Sequence, residues 1–338
     1  VLLYPFLFFF FFFLFFVLLQ THLRIIYCVL KVLKFEDLKD FDKQPILSVG
    51  MFDGVHKGHL ALLNDLKQEA EKENTCSMVI TFDAHPRQVI AENENEVKVL
   101  QTPEQRLERL RRSGVDYVVI LHFTKEIAGL EASDFLDLVI ENINPKSIVL
   151  GYDNRFGRKG STQFDDILAK GEYKTIKIKR VKDCVWHNGK EISSTQIRKA
   201  LEKGEISLAN QMLGYSYSIE GKVVHGYKIG RNLGYPTANI KPSNNKLIPP
   251  DGVYAVRCEV DDLMYKGVVS IGNRETFEKK IKSIELHIFF FERNIYNKEI
   301  KIEFKEFLRG QEKFPSVDAL VEQIKKDCEN AKTILSNY

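Results

Sequence analysis

The period of the hydrophobic pattern changes near Gly214, and this constrains the fold more than any other feature of the sequence. Before that point, short β-branched or aromatic runs (Ile46 to Val49, Ser77 to Phe82, Tyr117 to Leu121, Ser147 to Leu150) alternate with amphipathic stretches. Leu60 to Glu73 puts Leu62, Leu63 and Leu66 on one helical face. Pro103 to Arg112 opens with proline in its first turn, and Ser133 to Glu141 carries Phe135, Leu136, Val139 and Ile140. Buried strands alternating with helices predict a parallel α/β sheet. After Gly214 the runs are all strand-like: Ser218 to Val224, Gly252 to Val260, Met264 to Ser270, Glu285 to Phe291 and Ile300 to Phe307. Turn signals such as PPDG separate them, which predicts an all-β barrel or sandwich. Ser316 is placed to cap a closing helix whose Val317, Leu320, Val321, Ile324, Cys328 and Ala331 recur at helical spacing and should lie against the barrel.

Charge narrows the choice of partner. Lys plus Arg exceed Asp plus Glu by 49 to 46, and the charges are interspersed, so no basic face is available for duplex nucleic acid. An anionic ligand of this chain should be a small molecule. Cys28, Cys76, Cys184, Cys258 and Cys328 lie far apart, without a CxxC pair or zinc-ligand spacing. They read as reduced thiols, which fits a cytoplasmic enzyme.

Two segments carry candidate chemistry. In ILSVGMFDGVHKGHLALL a strand ends at Gly50, a glycine-punctuated turn runs through Gly54 and Gly58, and a helix starts beside His59. A helix N-terminus offers unpaired N–H groups and the positive end of a dipole, so this geometry suits phosphate. His56 and His59 would add donors able to stabilise charge on an α-phosphoryl group and its pyrophosphate leaving group. Each histidine could instead be a helix cap or a satisfied core group. Further on, ISSTQIRKAL sets Ser193, Ser194 and Thr195 before an amphipathic helix with Arg198 one turn in, a second anion-binding pattern that also reads as a plain N-cap cluster. The other segment, GKVVHGYKIGRNLGYPTANI, spaces Gly226, Gly230 and Gly234 by four before Pro-Thr-Ala-Asn. Such glycines let backbone approach a ligand closely. Thr237 and Asn239 supply two oxygens on one side of a strand, suited to a hard Mg²⁺ that bridges nucleotide phosphates. A glycine-rich hairpin closed by Thr and Asn is the alternative.

Taken together, G-x-F-D-G-V-H-x-G-H followed by I-S-S-T-x-I-R resembles the HxGH nucleotidylyltransferases, specifically the FAD synthetase module of the bacterial bifunctional flavin enzymes. TFDAHPRQVI is similar to that family's F-x-P-H-P segment and VLGYDNRFGRKG to its G-x-D-F-x-F-G segment. The resemblance implies nucleotide and phosphate binding at Gly50, Phe52, Asp53, His56, Gly58, His59, Ser194, Thr195 and Arg198, with His85, Asp153 and Phe156 at the flavin. Asp83 and Ala84 stand where the family often has His and Pro, and Asn154 replaces Phe. The string GKVVHGYKIGRNLGYPTAN, with PPDGVYAV and IELHIF after it, resembles the riboflavin kinase signature. That likeness implies Mg²⁺ on Thr237 and Asn239, phosphate contacts from Gly226, Gly230, Arg231 and Gly234, and Glu285 as general base toward the ribityl 5′-hydroxyl. It also implies flavin contact from Arg309. SIGNRETF departs from the family's N-I-G-x-R-P-T-F at Ser270 and Glu275, and the lost proline frees a loop φ angle.

The expected architecture is therefore a Rossmann-like FAD synthetase domain over 26–213 and a six-stranded barrel-like riboflavin kinase domain with its C-terminal helix over 214–338. The substrates would be riboflavin, FMN and two ATP, and the products FMN and FAD. There are two rival readings: a flavin- or nucleotide-sensing regulator, which would keep the binding loops, transfer nothing and need a DNA-reading element that the sequence does not offer, and a membrane-anchored flavin scaffold, which would use the Phe run. The scaffold depends on residues 1–25, where VLLYPFLFFFFFFLFFVLL is apolar over a bilayer-spanning length and Arg24, Lys31 and Lys34 follow. Taken literally it is a membrane anchor. Its nearly pure Phe composition, without the patterning of a packed helix, reads instead as a wrongly assigned start, with the folded protein beginning near Ile26. A chain begun at Ile26 is then expected to be soluble and to keep both activities. Aggregation of that chain, or loss of FAD synthesis while the full chain works in membranes, would overturn this reading.

Overall fold

The computed structural model describes residues 30–90, 98–152, 154–158, 162–181, 185–187, 189–226, 229–243, 245–275 and 280–338. The N-terminal Phe run, Cys28, Cys184 and Asp153 lie outside them, as does the side chain of Glu275. By their contacts the described residues form two compact units. One comprises the described residues up to Met51 and those within Leu60–Glu92 and Glu104–Asp183, the other those within Phe52–His59, Asn93–Pro103 and Cys184–Tyr338.

The first unit is built on a seven-stranded sheet. Its strands are β1 (Lys31–Lys34), β2 (Ile46–Val49), β3 (Ser77–Phe82), β4 (Tyr117–Leu121), β5 (Ser147–Leu150), β6 (Glu172–Tyr173) and β7 (Ile176–Arg180), in the order β1-β4-β3-β2-β5-β7-β6. All pairs are parallel except β6 with β7. β2, β3 and β5 are buried along their whole length, which is why their sequences read as near-continuous apolar runs, interrupted only by small hydroxyl residues, rather than alternating ones. Helix α1 (Lys57–Lys72) turns Leu62, Leu63, Leu66 and Ala70 inward, α2 (Pro103–Ser113) buries Leu110, α3 (Ala132–Ile143) buries Phe135, Leu136, Val139 and Ile143, and α4 (Gln163–Lys170) buries Phe164 and Ile167. Each fully buried leucine contributes roughly 1.5–3 kcal/mol. The chain steps from β2 outward to β3 and β4, then returns to place β5 on the other side of β2. Ligands of open α/β sheets bind beyond the carboxyl ends of strands at such a reversal, and the segment that leaves β2 there is Gly50–His56.

The second unit holds a closed barrel of six antiparallel strands. These are β8 (Ser218–Val224), β9 (Ala238–Pro242), β10 (Gly252–Val260), β11 (Leu263–Glu275), β12 (Lys280–Ile288) and β13 (Glu299–Arg309), ordered β8-β9-β12-β11-β10-β13. Tyr254, Ile271, Ile284, Leu286 and Phe304 fill its interior. The same apolar cluster takes in Leu100 and Ile192, Ile197 and Leu201 from α5 (Ser194–Glu202), and Ala209 and Leu213 from α6 (Ile206–Leu213). Helix α7 (Val317–Leu335) begins at Ser316, whose hydroxyl accepts the Ala319 N–H, as the sequence predicted. Its Cys328, Ala331 and Leu335 cover Val253, Ala255 and Val268 on the outside of the barrel.

Most expected elements are present, several with longer ends: β11 runs to Glu275, and β12 covers Lys280–Ile288 instead of Glu285–Phe291. The shift in β12 has a local cause, because Phe290 takes φ +55° and ends the extended run. Strands β1, β6 and β7 and helix α6 have no counterpart among the elements expected from the sequence, and of β9 only the strand character around Asn239 was expected.

Candidate active sites

The first site is assembled entirely within the second unit, from the Phe52–His59 turn, the start of α5 and the strap 98–101. The turn is strained: Phe52 and Val55 adopt φ +52° and +33°, left-handed values that cost a non-glycine residue about 1–3 kcal/mol each. Their burial, at 2% and 1% exposure, holds them there. His56 occupies the capping position of α1, its Nδ1 accepting the His59 N–H at 3.3 Å, so the imidazole proton resides on Nε2. The His59 ring stacks on that of His56 at a centroid distance of 3.7 Å and an interplanar angle of 18°. Gly58 makes the stack possible, because a Cβ there would come within 3.1 Å of the His56 ring and 3.3 Å of the Ile192 carbonyl oxygen.

Electrostatics fix the state of the pair. Burial, with the nearby Arg198 cation, pushes the His56 imidazole down to about 3. Burial, with His56 beside it, holds His59 well below the usual histidine range. Both rings are neutral at pH 7 and act as N–H donors rather than cations. His59 Nδ1 is shut off from solvent and makes no hydrogen bond to the described residues. A buried polar atom without a partner is costly, which points to a ligand that completes it.

Asp53, 2% exposed, organises the surroundings of the pair. Its carboxylate accepts the Leu100 N–H at 3.0 Å and the Gln101 N–H at 3.1 Å, and it pairs with Arg198 Nη2 at 2.5 Å. Arg198 also donates through Nε to the Lys98 carbonyl at 3.1 Å. Breaking a buried ion pair of this kind by removing one partner costs about 3–5 kcal/mol. Ser194 Oγ donates to the Asp53 carbonyl at 2.8 Å, which ties the start of α5 to the turn. Ser193 is the actual cap of α5, accepting the Gln196 N–H, so Ser194 and Thr195 lie in the first helical turn and Thr195 is exposed.

In the first unit, a cavity of about 480 Å³ is lined by Phe82, Phe123, Phe135 and Phe156 with Lys125 and Arg158 at its edge. Phe156 packs edge-on against Phe164 at 4.7 Å. Gly50 belongs to the sheet edge, its N–H donating to the Ile80 carbonyl at 3.0 Å. His85, 9% exposed, accepts the Arg87 N–H at 3.2 Å where a short helical turn begins, and it is not among the cavity's lining residues. The departures have structural roles as well. Asn154 donates through Nδ2 to the Val49 carbonyl at the end of β2. Asp83 accepts the Ala84 and Phe123 N–H groups and pairs with His122, whose imidazole it holds above the usual range.

The second candidate site lies on the outside of the barrel. Ile284, Leu286 and Ile288 point into the core, so Glu285 and His287 face outward, a choice the alternation in the sequence left open. Asn239 and Ser270 stand directly opposite Glu285 on the two neighbouring strands, which sets the three side chains in a row across β9, β12 and β11. Thr237 Oγ1 donates to Glu285 Oε2 at 3.4 Å. Gly226 passes so close to this row that a Cβ would lie 2.1 Å from Asn239 Nδ2, and one at Gly230 would lie 2.4 Å from the Tyr235 carbonyl oxygen. Gly234, at φ +82°, completes the turn after the short helix Ile229–Asn232. A cavity of about 500 Å³ opens beside Thr237, lined also by Arg231, Leu286, Phe291 and Tyr296. Arg309 is already engaged, its guanidinium forked on the Asp327 carboxylate of α7 at 2.8 to 3.1 Å.

Known proteins resemble the chain over both regions. Residues 38–196 match the family described as FAD synthetase, and residues 213–335 the family described as riboflavin kinase. Proteins of Listeria monocytogenes and Bacillus subtilis, each named bifunctional riboflavin kinase/FMN adenylyltransferase, are both 36% identical to it. The first aligns over 87% of this chain and 94% of its own length, the second over 89% and 95%. A crystal structure from Streptococcus pneumoniae, described as a macrolide-efflux protein, superposes with a TM-score of 0.80 and 32% identity over 88% of this chain and 97% of its own. Among the described residues, no helix of the present chain is long and apolar enough to cross a membrane.

Proposed function

The chain belongs to the bifunctional riboflavin kinase/FMN adenylyltransferase family, and on that premise we propose which of its residues carry each reaction. It is a transferase that phosphorylates riboflavin to FMN, releasing ADP, and adenylylates FMN to FAD, releasing pyrophosphate. We assign adenylyl transfer to residues 26–213 and the kinase to 214–338, working in the cytoplasm.

For adenylyl transfer, the observation that carries the assignment is the stacked, neutral His56–His59 pair at the N-terminus of α1, with Arg198 beside it. The FMN phosphate attacks the α-phosphorus of ATP in line, and the bond to the β-phosphate oxygen breaks as the new P–O bond forms. The His59 and His56 N–H groups, the α1 N-terminus and Arg198 bind the charge that grows on the transferring group and on the departing pyrophosphate. Ser194 and Thr195 offer hydroxyls from the first turn of α5. Asp53 touches no phosphate in this scheme, since a carboxylate there would repel it; it holds Arg198. The aromatic cavity with Phe156 suits the flavin ring, and its volume falls in the range of small-ligand sites.

For the kinase, Glu285 accepts the proton of the ribityl 5′-hydroxyl as the γ-phosphoryl group moves to that oxygen. Arg231 and the Gly226, Gly230 and Gly234 backbone line the phosphate path. Thr237, immediately before β9, and Asn239 within it offer neutral hard oxygens, in a cradle that only glycine at 226 leaves open, so this site fits Mg²⁺. Bound there, Mg²⁺ would neutralise charge on the nucleotide phosphates. Asn239→Ala should accordingly raise the Mg²⁺ concentration needed for half-maximal FMN formation. An unchanged magnesium titration would remove Asn239 from the site. The overall scheme is tested by incubating the protein with riboflavin, ATP and Mg²⁺ and separating the flavins. FMN appearing first and FAD after it is expected; FMN as the final product would refute adenylyl transfer.

A further inference from the structure

Lys246 lies in the segment between β9 and β10, and neither reaction as described uses it. It is a lysine only 4% exposed, which is rare unless the charge has work to do. Its ammonium donates to the Leu100 carbonyl and sits 4.6 Å from the centre of the Tyr217 ring. The strap 98–101 is fixed to this segment along its backbone: Val99 donates to the Asn245 carbonyl at 2.8 Å and accepts the Leu247 N–H at 3.0 Å. Beyond the strap, the Leu100 N–H binds the Asp53 carboxylate, and Asp53 binds Arg198. Two cations therefore act on one carboxylate, Arg198 by direct contact and Lys246 through Leu100 and by its charge. Burial lowers the lysine to about 7, against the pull of Asp53 and Glu220, so an apolar residue would be the cheaper occupant if packing were all that mattered.

We propose that Lys246 is a positioning residue for adenylyl transfer: through Leu100 and Asp53 it sets where the Arg198 guanidinium meets the nucleotide phosphates. The inference rests on the assignment of Arg198 to the nucleotide site. Its consequence is that a residue encoded inside the kinase sequence serves the other reaction. Loss of Lys246 takes a donor from the Leu100 carbonyl and a cation from the neighbourhood of Asp53, and the strap is then free to shift and carry Arg198 with it.

The test uses the full chain with Lys246→Met, Lys246→Arg and Arg198→Ala, measuring kcat and KM for ATP in FMN-to-FAD conversion, the rate of FMN formation from riboflavin, and Tm. With Lys246→Met, kcat for FAD formation should fall about tenfold while KM for ATP moves less than about threefold, because an effect transmitted through Arg198 acts on the transition state. FMN formation should stay within about twofold, and Lys246→Arg, which keeps the charge, should recover most of the loss. If Lys246→Met does not fold, Lys246→Gln takes its place, keeping a donor for Leu100 without the charge; selectively slower FAD formation supports the proposal. Unchanged FAD formation in the Met or Gln variant, with Arg198→Ala impaired, overturns it. So does an equal fall in both reactions with a lowered Tm that arginine fails to rescue. Unimpaired FAD formation in Arg198→Ala would instead sink the site assignment beneath it.

Discussion

Replacing His59 by alanine should slow the conversion of FMN to FAD by about 10²- to 10³-fold, the loss of about 2.7–4 kcal/mol seen when one donor to a developing oxyanion is removed. Riboflavin should still be phosphorylated, so FMN accumulates. The magnitude follows from the environment of this histidine. Its ring is pinned between Phe52, at 5.2 Å, and the His56 ring, and its Nδ1 is buried without a partner among the described residues. A donor so fixed needs no reorganisation when charge appears. The same burial predicts the pH behaviour. A histidine with its ordinary pKa near 6.5 would lose a positive charge as pH rises through that value. His56, at about 3, and His59, lower than the usual range, are already neutral there. The profile of kcat/KM for ATP, which reports the free enzyme, should show no limb between about pH 5 and 7 from either. A limb in that range that disappears in His59→Ala would mean the ring works as a cation. A product profile started from FMN, with circular dichroism to confirm folding, measures the main effect.

How much of this could be read from the sequence depended on how local the signal was. The parallel sheet was legible because β2, β3 and β5 are buried on both faces and read as near-continuous apolar runs. The edge strand β1 was not, since KVLK pairs with β4 on one side only and is mostly exposed. Strand β9 was legible only in part, because Asn239 could be set on a strand while the glycines and proline before it also read as a hairpin turn and hid the strand's extent. In the first site, the histidines, Ser194 and Arg198 could be found by their spacing, but the roles of Leu100, Gln101 and Lys246 could not. Asp53 and Lys246 are separated by almost the whole length of the α/β sequence, and nothing periodic links them; only the folded chain brings both to Leu100. Asp53 itself was visible as part of the motif, whereas the filling of its carboxylate by two backbone N–H groups and a guanidinium was not. The direction of Glu285 was also undecidable from alternation, because Phe289, just past the end of β12 and in the register of Glu285 and His287, is buried as well as the inward residues Ile284, Leu286 and Ile288.

That outward direction is the basis of the second large effect. Glu285→Gln keeps the shape of the side chain and a carbonyl oxygen for the Thr237 hydroxyl, which now lies 3.4 Å from Oε2, but it removes the group able to take a proton. Riboflavin phosphorylation should fall by about 10²- to 10⁴-fold, the usual contribution of a positioned general base. The core should be undisturbed, since Glu285 packs outside the barrel while its neighbours Ile284 and Leu286 fill the inside. Supplied FMN should still become FAD at the rate of the unaltered chain, because the residues assigned to adenylyl transfer lie on the turn before α1 and on α5, where Arg198 pairs with Asp53 and His56 accepts the His59 N–H. Glu285 could also serve by orienting Thr237 toward the metal rather than by accepting the proton, and the two roles differ in what magnesium does. A lost orienting contact is restored in part by raising Mg²⁺, whereas a lost base is not, so the deficit of Glu285→Gln should persist at saturating Mg²⁺. Recovery of FMN formation at high Mg²⁺ would move Glu285 from proton acceptor to metal-site support, and loss of both reactions in a folded variant would end the assignment of the two reactions to separate sites.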